Sequence, residues 1–220
     1  MMEHVIIVAG GSGTRMQSAI PKQFIKVGKL PLLMHTISAF FRYSETIKII
    51  IVLPHEQLNY WQQLVKEYGF TITHKVVSGG ITRFESVKNG LLAISGEGHV
   101  AIHDGVRPII SAQLIDNCFK AARNFGSGVA AVLPKDSIRE IKDGANKNLD
   151  RNQFRLVQTP QTFELSLIKA AYLATTDSGF SDDASVAEKY GHQITLVAGD
   201  YENIKITTPG DIKIAQALLD

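Results

Sequence analysis

The chain has 220 residues, of which 45% are hydrophobic and 20% charged, with a formal net charge of +2. This balance is ordinary for a globular protein and argues against a strongly basic nucleic-acid binder or a membrane binder. The N-terminus lacks a signal-peptide pattern, no apolar run is long enough to span a bilayer, and the single Cys118 excludes an internal disulfide. We therefore expect a cytoplasmic protein that has no nucleic-acid or membrane partner.

The first predicted element is a short apolar strand, His4–Ala9, which runs into glycines within residues 10–13. These glycines leave backbone N–H groups open to an anion, and Arg15 and Lys22 bring two cations close by. The combination predicts a triphosphate site. A Walker loop is excluded because its Gly-Lys-Ser/Thr string is missing, and Met16 stands where a dinucleotide fingerprint needs a third small residue. A glycine turn that serves only backbone geometry remains the alternative.

Strands and helices then alternate along the chain. The other predicted strands are Lys48–Leu53, Ile72–Val77, Val100–His103 and Val129–Leu133. The predicted helices are Leu32–Phe41, Gln57–Tyr68, Arg83–Ile94, Ala112–Asn124, Glu164–Tyr172, Asp182–Tyr190 and Pro209–Leu218. This alternation predicts an α/β fold with a Rossmann-like, mostly parallel twisted sheet and helices on both faces. Such sheets bind ligands beyond the carboxyl ends of their strands, so the loops at Gly10, Gly80 and Asp104 should converge on one cleft.

The alternation breaks after Pro134. Residues Lys135–Lys142 alternate polar and apolar side chains, a polar turn covers residues 143–148, and Phe154–Gln158 is the predicted return strand. The pattern predicts a protruding β-hairpin arm at about residues 135–158, inserted in a single domain of residues 1–220. Because an isolated two-stranded hairpin is marginally stable in water, the arm should pack on another surface, such as a second subunit.

Five short segments, in order along the chain, carry a resemblance to a known family. They are the first glycine loop, His103–Pro108, Asp150-Arg151-Asn152, Thr159-Pro160-Gln161 and Asn203-Ile204-Lys205. On these segments the chain resembles the methylerythritol phosphate cytidylyltransferases of the non-mevalonate isoprenoid pathway, from its first strand to its last helix. The resemblance implies that CTP and 2-C-methyl-D-erythritol 4-phosphate react to a CDP-polyol and pyrophosphate, with Mg²⁺. It also implies a homodimer whose arms cross between subunits.

The resemblance also implies a role for individual residues. Arg15 and Lys22 would stabilise the transition state, while Arg151 and Lys205 would position the attacking polyol phosphate. The residues expected to contact the nucleotide are Ala9, Gly10, Gly11, Ser12, Gly13, Gly80, Ser86 and Asp104. The residues expected to contact the polyol phosphate are Arg107, Ser137, Arg151, Thr159 and Lys205. Asp104 would also lie near Mg²⁺, directly or through water.

Several alternatives remain open at this point. Asp104 can instead orient Arg107, and Arg151 can be a surface charge of the hairpin. Ile81 stands where an acidic residue is common in the family, which is harmless if that position is recognised through its backbone. His103 is expected to be structural, because a phosphate oxygen that is already an anion needs no general base. Ser181-Asp182-Asp183 is typical of a helix start with Ser181 as its cap.

The sequence also leaves alternative functions open. The closest alternative is a ribitol-5-phosphate cytidylyltransferase of cell-envelope polymer synthesis, which shares the nucleotide half of the site. A sugar-phosphate nucleotidylyltransferase that uses UTP or GTP is more distant. A non-catalytic nucleotide-binding regulator belongs to another class, and the joint presence of four cations, Arg15, Lys22, Arg151 and Lys205, argues against it.

Overall fold

The alternation of strands and helices is present in the computed structural model, which describes residues 2–11, 20–175 and 179–219. The strands are β1 (Glu3–Val8), β2 (Lys26–Val27), β3 (Leu30–Pro31), β4 (Lys48–Leu53), β5 (Lys75–Ser78), β6 (His99–Asp104), β7 (Ser127–Val132), β8 (Ile138–Lys142), β9 (Ala145–Leu149), β10 (Leu156–Glu164) and β11 (Leu196–Ala198). The helices are α1 (Leu32–Tyr43), α2 (Leu58–Glu67), α3 (Arg83–Leu92), α4 (Ala112–Phe125), α5 (Leu165–Ala174), α6 (Asp183–Lys189) and α7 (Pro209–Leu219).

Within the described residues, the main sheet has the strand order β11-β7-β10-β6-β1-β4-β5. Strand β1 pairs in parallel with β4 and β6, β5 runs parallel to β4, and β11 runs parallel to β7. The exception is β10, which is inserted antiparallel between β6 and β7. The predicted α/β class with a mostly parallel sheet is confirmed.

Helices cover both faces of this sheet. Side chains alternate along β1, so that Val5 and Ile7 join the hydrophobic cluster under α1, α2 and α4, while Ile6 joins the cluster under α3, α5 and α6. All three side chains are fully buried. A strand buried on both faces has a continuous apolar sequence, which explains why this first strand could be recognised so readily.

The hairpin arm is shorter than predicted. Strand β8 pairs antiparallel with β9 across the turn Asp143-Gly144, where φ is 50° at Asp143 and 77° at Gly144. An Asp-Gly pair with two positive φ angles is typical of a two-residue hairpin turn. The predicted turn over residues 143–148 and the return strand Phe154–Gln158 are therefore wrong. Residues 145–149 form the return strand, and the later segment leads into β10 of the main sheet.

The arm is largely exposed in the single chain. Most residues of β8 and β9 are accessible to solvent, and the side chain of Ile141 is 77% exposed. An apolar side chain on a two-stranded ribbon gains little from this position. The exposure is what the predicted packing of the arm on a second subunit requires.

Three smaller predictions also need correction. Strand β5 begins at Lys75 rather than Ile72, and the short strands β2, β3 and β11 were not predicted. Helix α6 is capped by Asp182, whose carboxylate accepts a hydrogen bond from the Ser185 N–H, and not by Ser181.

Among the described residues, no helix is both long and apolar enough for a bilayer crossing.

Candidate active site

A cleft of about 300 Å³ opens where β1, β5 and β6 end at their carboxyl termini. It is lined by Val8, Ala9, Gly10, Gly11, Lys22, Gln23, Gly80, Ile81, Thr82, Arg83, Ser86, Asp104, Val106 and Lys205. The three loops that the sequence analysis singled out thus converge, as ligand-binding loops do in sheets of this class.

The cleft gathers part of the predicted site. The predicted residues that line it are Ala9, Gly10, Gly11, Lys22, Gly80, Ser86, Asp104 and Lys205. Arg107 and Thr159 contact Asp104 from behind, and Ser137 and Arg151 belong to the arm region. The predictions for Ser12, Gly13 and Arg15 fall outside the described residues.

One wall of the cleft is the loop that leads into α3. Thr82 and Glu85 form a capping box, in which Thr82 Oγ1 accepts from the Glu85 N–H at 3.1 Å. A Cβ at position 80 would lie 2.3 Å from Glu85 Cβ, so only glycine fits there. Ser86 Oγ accepts from the Gly80 N–H at 3.2 Å and donates to the Thr82 carbonyl at 2.9 Å. These bonds fix the loop Gly80–Thr82 through its backbone.

The departure at Ile81 lies on this same loop. The Ile81 side chain is 98% exposed, while its N–H donates to Glu85 Oε2 at 2.6 Å. The structure therefore fixes this position through its backbone, and recognition of the nucleotide through the backbone here stays a prediction.

Asp104 forms the opposite wall of the cleft. Its carboxylate is mostly buried, and its Oδ2 accepts from Arg107 Nε at 3.2 Å and lies 3.1 Å from Lys205 Nζ. Burial alone would raise the pKa of Asp104, but Lys205, Arg83 and Arg107 together hold it well below its usual range. The carboxylate therefore stays ionised, and its partnership with Arg107 is compatible with a second role toward a ligand.

A buried threonine and a buried histidine hold the backbone of Asp104 in place. Thr159 Oγ1 accepts from the Asp104 N–H at 3.1 Å and lies 3.1 Å from His103 Nδ1. When the hydroxyl donates to Nδ1, the ring proton is on Nε2, which donates to the Arg107 carbonyl at 3.1 Å. This use of the Thr159 hydroxyl indicates a positioning role, and direct contact of Thr159 with a substrate stays a prediction.

His103 is neutral at physiological pH. The ring is fully buried, and this burial lowers the pKa of His103 to about 4. Both ring nitrogens are occupied by neighbours. The residue therefore supports the site as a neutral hydrogen-bonding group, in agreement with the structural role expected for it.

This burial predicts a pH-dependent stability. Because the folded-state pKa of His103 lies below the unfolded value, the unfolded state binds the extra proton as pH falls from about 6.5 to about 4. The free energy of unfolding should decrease over that window by up to about 1.4 kcal/mol per pH unit from this residue. Denaturant unfolding of His103→Gln should show a shallower slope than the wild type, while exposed His55→Gln serves as the control. Equal slopes in all three proteins would contradict the assignment.

The segment around Asn203 places Lys205. The Asn203 side chain is fully buried, its Nδ2 donates to the Thr159 carbonyl at 2.8 Å, and its own carbonyl accepts from Arg107 Nη1 at 2.7 Å. Lys205 follows two residues later and reaches Asp104. Asn203 belongs to the Asn203-Ile204-Lys205 motif of the sequence, but its supporting function depends on contacts that the sequence alone does not reveal.

Lys22 lies against the first glycine loop. It begins a short 3-10 turn, Lys22–Phe24, that follows Pro21 and buries Phe24. A Cβ at position 11 would lie 3.3 Å from Lys22 Cε and 3.6 Å from Nζ. The ammonium group is therefore held close to the backbone of Gly11, on the wall that the sequence assigned to a phosphate chain.

The two arm-region residues are placed differently. Ser137 and Arg151 are both exposed, and the Arg151 guanidinium donates to the Lys135 carbonyl. Neither residue lines the cleft of its own chain. Their predicted contact with a polyol phosphate therefore requires a cleft other than this one.

A parallel sheet whose strand ends present glycine N–H groups and ammonium groups to one cleft is typical of nucleotide-binding α/β transferases. A family model described as 2-C-methyl-D-erythritol 4-phosphate cytidylyltransferase, IspD, matches residues 3–220. The chain belongs to this family. The family predicted from the sequence and its enzyme class, a cytidylyltransferase, are confirmed.

Individual relatives are similar over their full length. The chain is 47% identical over 219 residues to the 2-C-methyl-D-erythritol 4-phosphate cytidylyltransferase of Phocaeicola vulgatus, with 100% of both chains covered. It is 49% identical to that of Azobacteroides pseudotrichonymphae, with 99% of both covered. Its structure is similar to the crystal structure of 4-diphosphocytidyl-2C-methyl-D-erythritol synthase from Anaerococcus prevotii, with a TM-score of 0.84, 31% identity and coverage of 99% of this chain and 98% of that one.

Proposed function

We propose that this chain transfers the cytidylyl group of CTP to 2-C-methyl-D-erythritol 4-phosphate in isoprenoid precursor synthesis, and that the cleft beside Asp104 is its active site. This location of the active site is supported by the convergence of Lys22, Lys205 and the Gly80 loop on one cavity. Family membership supports the reaction, and the geometry supports the place.

The reaction needs positioning and charge stabilisation. An oxygen of the polyol phosphate attacks the α-phosphorus of CTP, a new P–O bond forms, and the bond to the leaving pyrophosphate breaks. The attacking oxygen is already an anion, so no proton has to be removed. His103 agrees with this, because both of its ring nitrogens are hydrogen-bonded to neighbours and burial disfavours its protonation. The main barrier is the approach of two anions and the charge that builds up on the α-phosphoryl group.

The cations of the cleft are suited to position the reacting phosphates and to stabilise the developing charge. Lys22 lies beside the backbone of Gly11, where a triphosphate would receive N–H groups from the loop, and Arg15 is proposed to act with it. Lys205 is anchored by Asp104 and is 42% exposed, so its ammonium group faces the ligand side as well as the carboxylate. In this assignment Lys22 acts on the transition state and Lys205 on the incoming phosphate.

Mg²⁺ is part of the proposal. Among the described residues that line the cleft, Asp104 is the one carboxylate, and its neighbours keep it ionised. Among the described residues there is also no group of three or more acidic, histidine or cysteine side chains that would hold a metal alone. This donor set fits an ion carried by substrate phosphates, with one carboxylate contact that is direct or through water. When bound, the ion would neutralise phosphate charge.

The arm is proposed to act in a homodimer. Ser137 and Arg151 do not line their own cleft, and the arm exposes apolar surface at Ile141. Both observations support an arm that reaches the cleft of a partner subunit and contacts the polyol phosphate there. A cytoplasmic location is proposed as well, supported by the unpaired thiol of Cys118.

Pyrophosphate release tests the proposed reaction. With CTP and Mg²⁺, we expect release with 2-C-methyl-D-erythritol 4-phosphate and little with ribitol 5-phosphate. UTP and GTP should replace CTP poorly, and a chelator should stop the reaction until Mg²⁺ is restored. Preference for ribitol 5-phosphate would keep the nucleotide site and overturn the assigned polyol, whereas CTP binding without turnover on either polyol would favour a regulator.

A further inference from the structure

Gln161 and the acidic pair Asp182-Asp183 form a group behind the cleft. Gln161 Nε2 donates to Asp182 Oδ2 at 3.0 Å, and Gln161 Oε1 accepts from the Ala184 N–H at 2.8 Å. These two hydrogen bonds hold the first turn of α6 against β10. The orientation of the next acidic side chain, Asp183, is therefore set by the main sheet.

Asp183 extends this group to the cleft wall. Its fully buried carboxylate accepts two hydrogen bonds from Arg83, Nη1 to Oδ1 at 2.8 Å and Nη2 to Oδ2 at 2.6 Å. The Tyr172 hydroxyl donates to Oδ1 at 2.6 Å. A bidentate pair fixes the plane of the guanidinium as well as its distance. Burial alone would lower the pKa of Arg83, but Asp183 raises it above its usual value, so the pair stays charged.

Arg83 lies on the wall of the cleft formed by α3 and the loop before it. It is the first residue of α3, directly after the capping residue Thr82, and it lines the cavity. Its charge also reaches Asp104 on the opposite wall. Arg83 thus directly follows the Gly80–Thr82 loop in the chain, and its side chain is tied to α6 through Asp183 and, through Gln161, to the main sheet.

We propose that Arg83, held by Asp183, is a positioning residue that fixes the Gly80–Thr82 loop for CTP binding. This inference rests on the proposed function and adds to it a residue without an assigned role. The proposal predicts that the two substrates are affected to different degrees. Loosening the bidentate pair weakens the binding of CTP, whereas the polyol phosphate, whose proposed partners are the arm region and Lys205, is affected much less.

The test compares two changes to this pair with a matched control. Arg83→Lys keeps the positive charge and removes the planar fork, and Asp183→Asn keeps the size and removes the carboxylate. The control is Arg123→Lys, because Arg123 pairs with Glu3 at the same 2.6 Å and its side chain is 33% exposed against 29% for Arg83. This control pair lies by the first residue of β1, at the amino-terminal edge of the sheet.

We expect Arg83→Lys and Asp183→Asn to raise the Kd for CTP, measured by calorimetry without the polyol, and the KM for CTP by about 5- to 20-fold. The kcat and the KM for 2-C-methyl-D-erythritol 4-phosphate should stay within about twofold, and Arg123→Lys should leave all values unchanged. Arg83→Lys decides the question, because it leaves Asp183 with a cationic partner and so preserves the fold.

Two outcomes would overturn the inference. One is a folded Arg83→Lys protein that binds CTP as tightly as the Arg123→Lys control. The other is an equal loss for both substrates, which indicates a general structural role. A wild-type enzyme that releases no pyrophosphate from CTP contradicts the proposed function instead, so the two failures are distinguishable.

Discussion

Replacing Lys22 with alanine is expected to lower kcat by about 100- to 1000-fold while changing the Kd for CTP by no more than about threefold. The ammonium group lies beside the backbone of Gly11, and in the proposed reaction the charge on the transferred phosphoryl group develops there. An interaction that strengthens only in the transition state affects turnover rather than ground-state binding. Steady-state kinetics with CTP as the varied substrate, together with calorimetry, measures both quantities.

The control for this prediction is a neighbouring lysine. Lys26 lies four positions further along the chain, in β2, with an exposed side chain, and Lys26→Ala should retain wild-type kinetics. Lys22→Arg should recover only part of the activity, because a planar guanidinium does not replace a compact ammonium charge. If Lys22→Ala instead raised the Kd and KM for CTP with unchanged kcat, Lys22 would be a ground-state ligand and its assignment to the transition state would be wrong.

The fold could be predicted from the sequence where local pattern and tertiary packing agree. Val5, Ile6 and Ile7 form a continuous apolar run because β1 is covered on both faces, and this pattern needs no knowledge of distant residues. The same holds for the glycine loop and for Asp104, since a parallel sheet brings the carboxyl ends of its strands together. These regularities located the cleft correctly.

In the arm, the predicted register of the hairpin was wrong although a local turn signal was present. The register of a hairpin follows from its turn, and the Asp143-Gly144 pair contained that information. A turn over all of residues 143–148 requires a return strand at Phe154–Gln158, but this segment leads into the main sheet. The antiparallel insertion of β10 between β6 and β7 has no comparable local signal, because it depends on which strands its edges meet.

The supporting side chains could not be predicted for a different reason. Arg83 and Asp183 are 100 positions apart, and Asp183 has an ordinary local explanation as an acidic residue in the first turn of a helix. The Asn203 amide donates to the Thr159 carbonyl and the Thr159 hydroxyl accepts from the Asp104 N–H, and only the folded chain brings these partners together. The sequence thus located residues that line the cleft better than the residues that hold them in place.

Arg151→Ala is expected to raise the KM for 2-C-methyl-D-erythritol 4-phosphate by about 100-fold, with little effect on CTP binding, because a charge-assisted contact to phosphate is lost. Arg151 is exposed and does not line its own cleft. The matched control is Arg139→Ala, which removes another exposed arginine from β8 of the arm. Equal effects of the two changes would contradict a specific role for Arg151.

Mixed dimers then determine which cleft Arg151 serves. If the arms cross, a dimer of one Lys22→Ala subunit and one Arg151→Ala subunit has one intact site and about half of the wild-type activity. A dimer of wild type with a subunit that carries both changes then has no intact site and should be nearly inactive. If each arm served its own cleft, these two results would be exchanged. Differently tagged subunits, purified as verified heterodimers, therefore separate the two arrangements by opposite outcomes, and loss of stability in either variant cannot imitate the reversal.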